Sequence, residues 1–335
     1  MSISHHERLT APEVGNLWTQ YMNDSMSICV LTHFIETCQD PEILKILEKA
    51  RDLSKVHVES IKEFTAKEGF PTFYGFSESD VYQDVPALFT DKFMLVYMYT
   101  MALHGMNGYA LAIGNTVRVD QRTYFQKCQT ETMDLFDTIV NVMLAKGVFN
   151  RAPIINPPAN IDFVKDESYI GGFFGTKRPV NAVEITGIYY NMVKTVVKVV
   201  LELGFSQVTQ TKELRQYFER GASLCKKHMG VFEELLSENH LHSAQSLEAE
   251  ITTSTTSPFS DKLMLFHIVS LVGIAVGYYG TALATCQRRD IIVQYTKLMA
   301  EVGLYAEDGL NIMIEKGWLE QTPTAADRES LAKQK

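Results

Sequence analysis

The chain repeats itself, and this limits its fold more than any other feature. Phe89-Thr90-Asp91-Lys92 aligns with Phe259-Ser260-Asp261-Lys262 at an offset of 170 residues (259 − 89). With that offset held, Met94-Leu95 meets Met264-Leu265, Tyr109 meets Tyr279, Asp120 meets Asp290, Glu131 meets Glu301 and Lys146-Gly147 meets Lys316-Gly317. Upstream the offset is 171 (184 − 13): Glu13 meets Glu184, Glu42 meets Glu213, and Lys55-x-His57 meets Lys226-x-His228. A one-residue slip belongs in a loop, where insertions are tolerated. Two homologous units follow, 9–153 and 180–323, with a linker at 154–179 and a polar tail at 324–335. The period is too long for a solenoid, so each unit is expected to be a domain with its own core.

Each unit reads as four helices. Thr10 caps the first, with Pro12 and Glu13 in its opening turn and Val14, Leu17, Tyr21, Ile28 and Ile35 along one seam. Asp40-Pro41-Glu42 opens a second, which stops before Gly69. Thr90-Asp91 caps a third over 91–117, and Asp120 opens a fourth that ends at Lys146-Gly147. The second unit repeats this at 182–205, 212–239, 260–286 and 290–316. The charged matches Glu13/Glu184, Asp91/Asp261 and Asp120/Asp290 fit helix starts, beside the positive end of the dipole.

Loop lengths set the topology. The first and second helices are joined by a few residues, as are the third and fourth. Residues 69–89 and 240–259 separate the second helix from the third. A 25-residue helix is about 37 Å long, and twenty extended residues reach roughly 66 Å. Each of those segments can therefore run the full length of a bundle. Two hairpins and one long crossover give an all-α fold of two tandem ferritin-like four-helix bundles related by internal duplication. An up-down bundle with a decorated loop is the alternative.

The third helices carry no Asp, Glu, Lys or Arg over 93–117 or 263–287. That length meets the criterion for a membrane span, but His104, Asn107, Asn115 and three glycines interrupt the first stretch. A helix apolar all round is also what a bundle buries under a second bundle. The two are expected at the centre of the molecule, against each other about a pseudo-two-fold axis or against a second copy. Gly105, Gly108 and Gly277 are expected to mark their closest approach.

A ferritin-like bundle raises the question of a metal. A di-iron site needs inward carboxylates and a Glu-x-x-His pair on each of two helices. None of the nine histidines has Glu three residues before it, and neither third helix has a carboxylate beyond its opening turn. A non-standard site is conceivable in the first unit, where Asp24, His57, His104 and Asp134 fall near mid-height of successive helices. In the second unit only His228 remains, with Thr195, Ile274 and Leu304 at the other places. The competing reading of His57 is a hydrogen-bonded core histidine. No cofactor is implied beyond that metal ion.

Composition and motifs narrow the function classes. The formal charge of −9 argues against nucleic acid as a partner. Five scattered cysteines without a C-x-x-C pair suit a reducing compartment, each as a small buried hydrophobe. The polar first ten residues, with no apolar core, do not read as a secretory leader, so the cytoplasm is expected. Phosphate-cradling, nucleophile-elbow and zinc-protease motifs are absent. A non-enzymatic structural or binding role follows, with a protein partner or self-association. A divergent metal or redox protein is the first alternative, and membrane association through the third helices the second.

The duplicated unit, the opening E-V-G-x-L-W-x-x-Y over 13–21, the F-[ST]-D-K-x-M-L start of the third helix and the K-G-[WV] end of the fourth resemble a known family. Its function is unknown. It occurs in endospore-forming Gram-positive bacteria, and its members are often labelled spore-coat-like. The resemblance implies a ferritin-like fold in tandem units and an association with the spore. It implies no catalytic residue.

Overall fold

A computed structural model of the chain describes residues 7–173 and 177–333. The start of the polar N-terminal stretch, three linker residues and the last two tail residues lie outside it. The first repeat holds α1 (Ala11–Thr37), α2 (Pro41–Lys67), α3 (Asp91–Asn115) and α4 (Val119–Ala145). The second holds α5 (Ala182–Val208), α6 (Lys212–Ser237), α7 (Asp261–Thr285) and α8 (Arg289–Glu315), and a short α9 (Arg328–Ala332) follows in the tail. No strand forms among the described residues, only two isolated bridges. The helix starts obey local chemistry. Thr10 and Glu13 form a capping box on α1, Asp40 accepts the N–H groups of Glu42 and Ile43, and Gly147 and Gly317 sit at φ +68° and +67° just past α4 and α8.

Carboxylates at the helix ends fix helix directions. Buried Glu13, at the start of α1, accepts from the backbone N–H groups of Val117 and Arg118 at 3.0 and 2.9 Å. Asp91, at the start of α3, accepts from those of Gln39 and Asp40 at 3.0 and 2.7 Å. The N-terminus of α1 thus lies beside the C-terminus of α3, and the starts of α2 and α3 share one end of the bundle. So α2 and α3 are parallel, and residues 68–90 must run the whole bundle length. The second repeat matches: Glu184 accepts from the N–H groups of Gln287 and Arg288, and Asp261 from the Thr209 hydroxyl. The sequence read these residues as helix starts; each also ties that start to a neighbouring corner.

The two crossovers are exchanged between the repeats. The N–H of Tyr82 donates to the Pro258 carbonyl, and that of Thr252 to the Leu88 carbonyl, at 2.8 and 2.9 Å. The Ser260 hydroxyl donates to Asp80 and the Thr90 hydroxyl to Glu250, at 2.7 and 2.6 Å. Positions 80 and 250, 82 and 252, 88 and 258, and 90 and 260 are all repeat equivalents. Each contact therefore has a mate in which the halves swap roles, as at a two-fold dimer interface. Tyr97 and His267, also equivalents, meet on the pseudo-axis through the Tyr97 hydroxyl and His267 Nε2, 3.2 Å apart. Phe89 lies against Phe205, and Phe259 against His33.

Two expectations are corrected here. The halves do not keep separate cores: one apolar cluster runs from α1 through α8. Nor do α3 and α7 pack along their lengths. Only side chains bridge them, at Tyr97–His267 and at Tyr278 with His104 and Asn107. Gly105 lies near Thr132 of its own repeat, while Gly108 and Gly277 have open space around them. Their C-terminal halves keep an exposed stripe that includes Leu111, Gly273 and Gly277. Among the described residues only α7 is long and apolar enough to cross a membrane, and half of its apolar window is buried against neighbouring helices. The exchanged crossovers occupy the central place expected for the third helices.

This arrangement ties the two repeats together through a buried layer. Phe259→Ala should lower unfolding free energy by about 3–5 kcal/mol in denaturant titration. Cleavage at the exposed linker, where Ile154, Ile161 and Phe163 are 82, 92 and 80% accessible, should leave the halves co-eluting until denaturant is added.

Candidate functional site

A histidine, a tyrosine and a glutamate recur together inside both bundles. In the first repeat the Tyr109 hydroxyl lies 3.4 Å from His57 Nδ1, and Glu131 is 3.8 Å from Nε2. In the second the Tyr279 hydroxyl lies 3.1 Å from His228 Nδ1, and Glu301 is 3.1 Å from Nε2. The helices α2, α3 and α4, or α6, α7 and α8, supply one residue each. All three are identical at equivalent positions, and that identity was the sequence signal for the cluster.

The repeats diverge at a fourth position. Asp24 on α1 lies 3.1 Å from His57 Nδ1 and accepts from the Ser54 hydroxyl at 2.8 Å. The second repeat has Thr195 there and Cys225 in place of Ser54. Burial pushes His57 down, but the Asp24 hydrogen bond and the nearby Cys128 outweigh it, so the ring is held up at about 10. Burial dominates at His228 and holds it down at about 4, although Glu301 pulls the other way. At neutral pH the first cluster is an imidazolium–carboxylate pair. The second is a neutral imidazole that accepts from the Tyr279 hydroxyl and donates to Glu301.

The pair in the first repeat forms the floor of a cavity of about 490 Å³. Its walls are Met26, Met98, Met101, Ala102 and Leu135, and α7 closes one side with Leu271, Ile274 and Tyr278. Asn16, Thr19 and Asn107 border its mouth between α1 and α3. The volume lies within the range of small-molecule sites, and so does the mix of apolar wall and few polar groups. Gln20 Oε1, both ring nitrogens of His104, and His267 Nδ1 are buried at this cavity without a protein partner. Burial lowers both His104 and His267 to about 3, so they present neutral donors and acceptors.

The four residues expected to converge do not all do so. Asp24 and His57 meet. His104 faces the cavity from α3 and stacks near Tyr278, with ring centroids 5.5 Å apart. Asp134 is exposed on the outer face of α4, because the helix turns it away from the seam that carries Glu131. His228 pairs with Tyr279 and Glu301 as described. Among the described residues no group of three or more His, Cys, Asp or Glu is arranged to hold a metal ion. All five cysteines are free; four are buried and Cys286 is half-buried.

The fold and site define an all-helical, tandem-repeat protein with a cavity in one repeat. The chain belongs to the family described as protein of unknown function DUF3231, which matches residues 1–161 and again 168–331. Among solved structures, a candidate spore coat protein from Bacillus halodurans is similar at 19% identity and a TM-score of 0.40, over 47% of this chain and 98% of that one. No curated protein matches the chain.

The two histidines should titrate in opposite senses. His57, raised above the unfolded value near 6.5, contributes stability that is complete below that value and lost as pH rises toward about 10. His228, lowered to about 4, contributes stability that is present above 6.5 and lost as pH falls toward 4. NMR of the ring protons should find His57 charged and His228 neutral at pH 8. Asp24→Asn should bring His57 down and flatten the alkaline loss of stability.

Proposed function

We propose that the first repeat is a receptor for a small, mainly apolar molecule, and that the second repeat is a packed scaffold completing its wall. The observation that carries this reading is the divergence of two otherwise matching interiors. Leu17, Tyr21, Val58, Ile61, Ala112 and Phe125 form a separate small cluster, cut off from the main core at the level of Asp24 and His57. Their equivalents Ile188, Met192, Met229, Phe232, Ala282 and Tyr295 all belong to the main core. Around the cavity, Ala102, Gly105, Thr132 and Leu135 correspond to Val272, Ala275, Val302 and Tyr305, all buried. Ser27 corresponds to Lys198, whose long chain is buried inside the second bundle. One framework thus packs solid in one copy and leaves room in the other.

The lining selects the ligand class. Methionine side chains adapt to varied apolar shapes, and neutral His104, His267 and Gln20 offer hydrogen bonds without net charge. The Asp24–His57 pair is internally balanced, so an uncharged ligand with one or two polar groups suits the site. Nothing here provides a nucleophile activated by a base, and binding is the activity proposed.

Uptake of the neutral probe N-phenyl-1-naphthylamine, followed by fluorescence, tests this reading. Wild type should bind with a micromolar Kd. Ala102→Phe, which places a ring in the cavity, should abolish binding while the melting temperature holds or rises. The equivalent Val272→Phe should instead cost about 1–3 kcal/mol by overpacking. Equal probe uptake by wild type and Ala102→Phe would overturn the proposal.

A further inference from the structure

A second cavity, of about 270 Å³, lies between the repeats. Val96, Tyr99 and Leu103 of α3 form one wall, and Tyr190, Val193 and Lys194 of α5 the other. Lys194 is the unusual group. It is 5% accessible, and none of the ion pairs among the described residues involves it. Its ammonium position lies over the Tyr190 ring and 4.3 Å from the Tyr278 ring centroid. Its hydrogen bond is a 3.4 Å contact to the carbonyl of Tyr190 one turn back. The first repeat has Asn23 at the equivalent position, so the duplicated framework does not require a lysine there.

We propose that Lys194 is a covalent attachment point for an aldehyde whose apolar body occupies the cavity between α3 and α5. The amine lone pair attacks the carbonyl carbon to give a carbinolamine. The carbonyl oxygen then leaves as water with the two hydrogens of the amine, and a C=N bond to Nζ remains. No oxidant or reductant is consumed. A lysine reacts this way only as the free amine. Burial without a counter-ion supplies that form by lowering Lys194 to about 5. From α3, His104 faces the amine and burial keeps its ring neutral, while Tyr99, its phenol raised by burial, and Lys92, paired with Glu250 at 2.8 Å, line the same cavity. The Tyr190 and Tyr278 phenols stay protonated because burial raises both, and their hydroxyls are held by Asn107 at 3.2 and 3.4 Å. Their rings flank the amine and bring no charge beside it. Lys194 itself is 5% accessible, which limits the bulk water that reaches the imine and would hydrolyse it.

Reductive trapping tests this on the full chain. The protein is treated briefly at pH 6 with hexanal and sodium cyanoborohydride, and the modified lysines are mapped by peptide mass spectrometry. At that pH an exposed lysine is neutral in roughly one molecule in ten thousand. Lys194 should be labelled at least tenfold above exposed Lys127 and Lys165. Lys194→Met removes no ion pair, so it should melt at or above the wild-type temperature and lose the selective adduct. If that variant fails to fold, the wild-type map at pH 6 against pH 9 still decides, because selectivity for Lys194 should fall at the higher pH. Ala102→Phe, which closes the other cavity, should keep the adduct, so this proposal and the receptor reading fail separately. Labelling of Lys194 no greater than that of exposed lysines at pH 6 would overturn it.

Discussion

The structure depends on the exchange of the crossover segments. A segment that must run the length of a bundle carries backbone donors and acceptors along its whole course, and they need partners once buried. Here each crossover finds them on the other repeat. Thr90 and Ser260, the residues that cap α3 and α7, also donate to Glu250 and Asp80 across the pseudo-axis. The same residues thus start a helix and join two repeats. Phe89 and Phe259, next to those caps, fill the junction, and Phe89 does so against Gly204, where any side chain would clash with its ring. The repeats cannot separate without uncovering this layer, which is why one core serves both.

That shared core gives the interiors different freedoms. A lone four-helix bundle must fill its own centre to be stable. Joined to a solid neighbour, the first repeat can lose some of its packing and still be held in place. It does so at the height of Asp24, His57 and Tyr109. The small cluster beyond that level is the far end of a bundle interrupted at its waist. The second repeat fills the same level with Lys198, Glu202 and Tyr305. Burial lifts the Glu202 carboxyl to about 8, opposed by Lys198. A polar inventory of similar size serves packing in one copy and lines a space in the other.

The difference between His57 and His228 comes from one side chain. Both rings are buried, both meet a tyrosine hydroxyl, and both face a glutamate. Asp24 adds a carboxylate at hydrogen-bond distance, where Thr195 can add none. Desolvation disfavours the charged ring in both, and each has a carboxylate at 3.1 Å, but Asp24 is buried beside His57 whereas Glu301 is partly exposed and shares its charge with Lys227, so only Asp24 reverses the balance.

Much of this was legible in the chain alone. The repeat register, the caps at Thr10, Asp40 and Thr90, the glycine stops and the crossover lengths follow from local chemistry and counting, and the helices begin and end within a few residues of those signals. Asp24 and His57 could be placed together because helix height follows from residue number. Their partner Glu131 could not be told from Asp134, since three residues along α4 leave a side chain about 60° short of a full turn, enough to move it from the edge of the seam to solvent. The position of α3 and α7 was not legible either. An uncharged helix records that apolar surroundings are needed, but not which surface supplies them. Sequence therefore determined the helices, their order and the duplication, because these rest on contacts a few residues apart or on chain length. Tertiary structure decided the swapped crossovers, the single core and the cavity, because each depends on which of two nearly equivalent surfaces meets the other, and volume left between helices is a property of no single one of them.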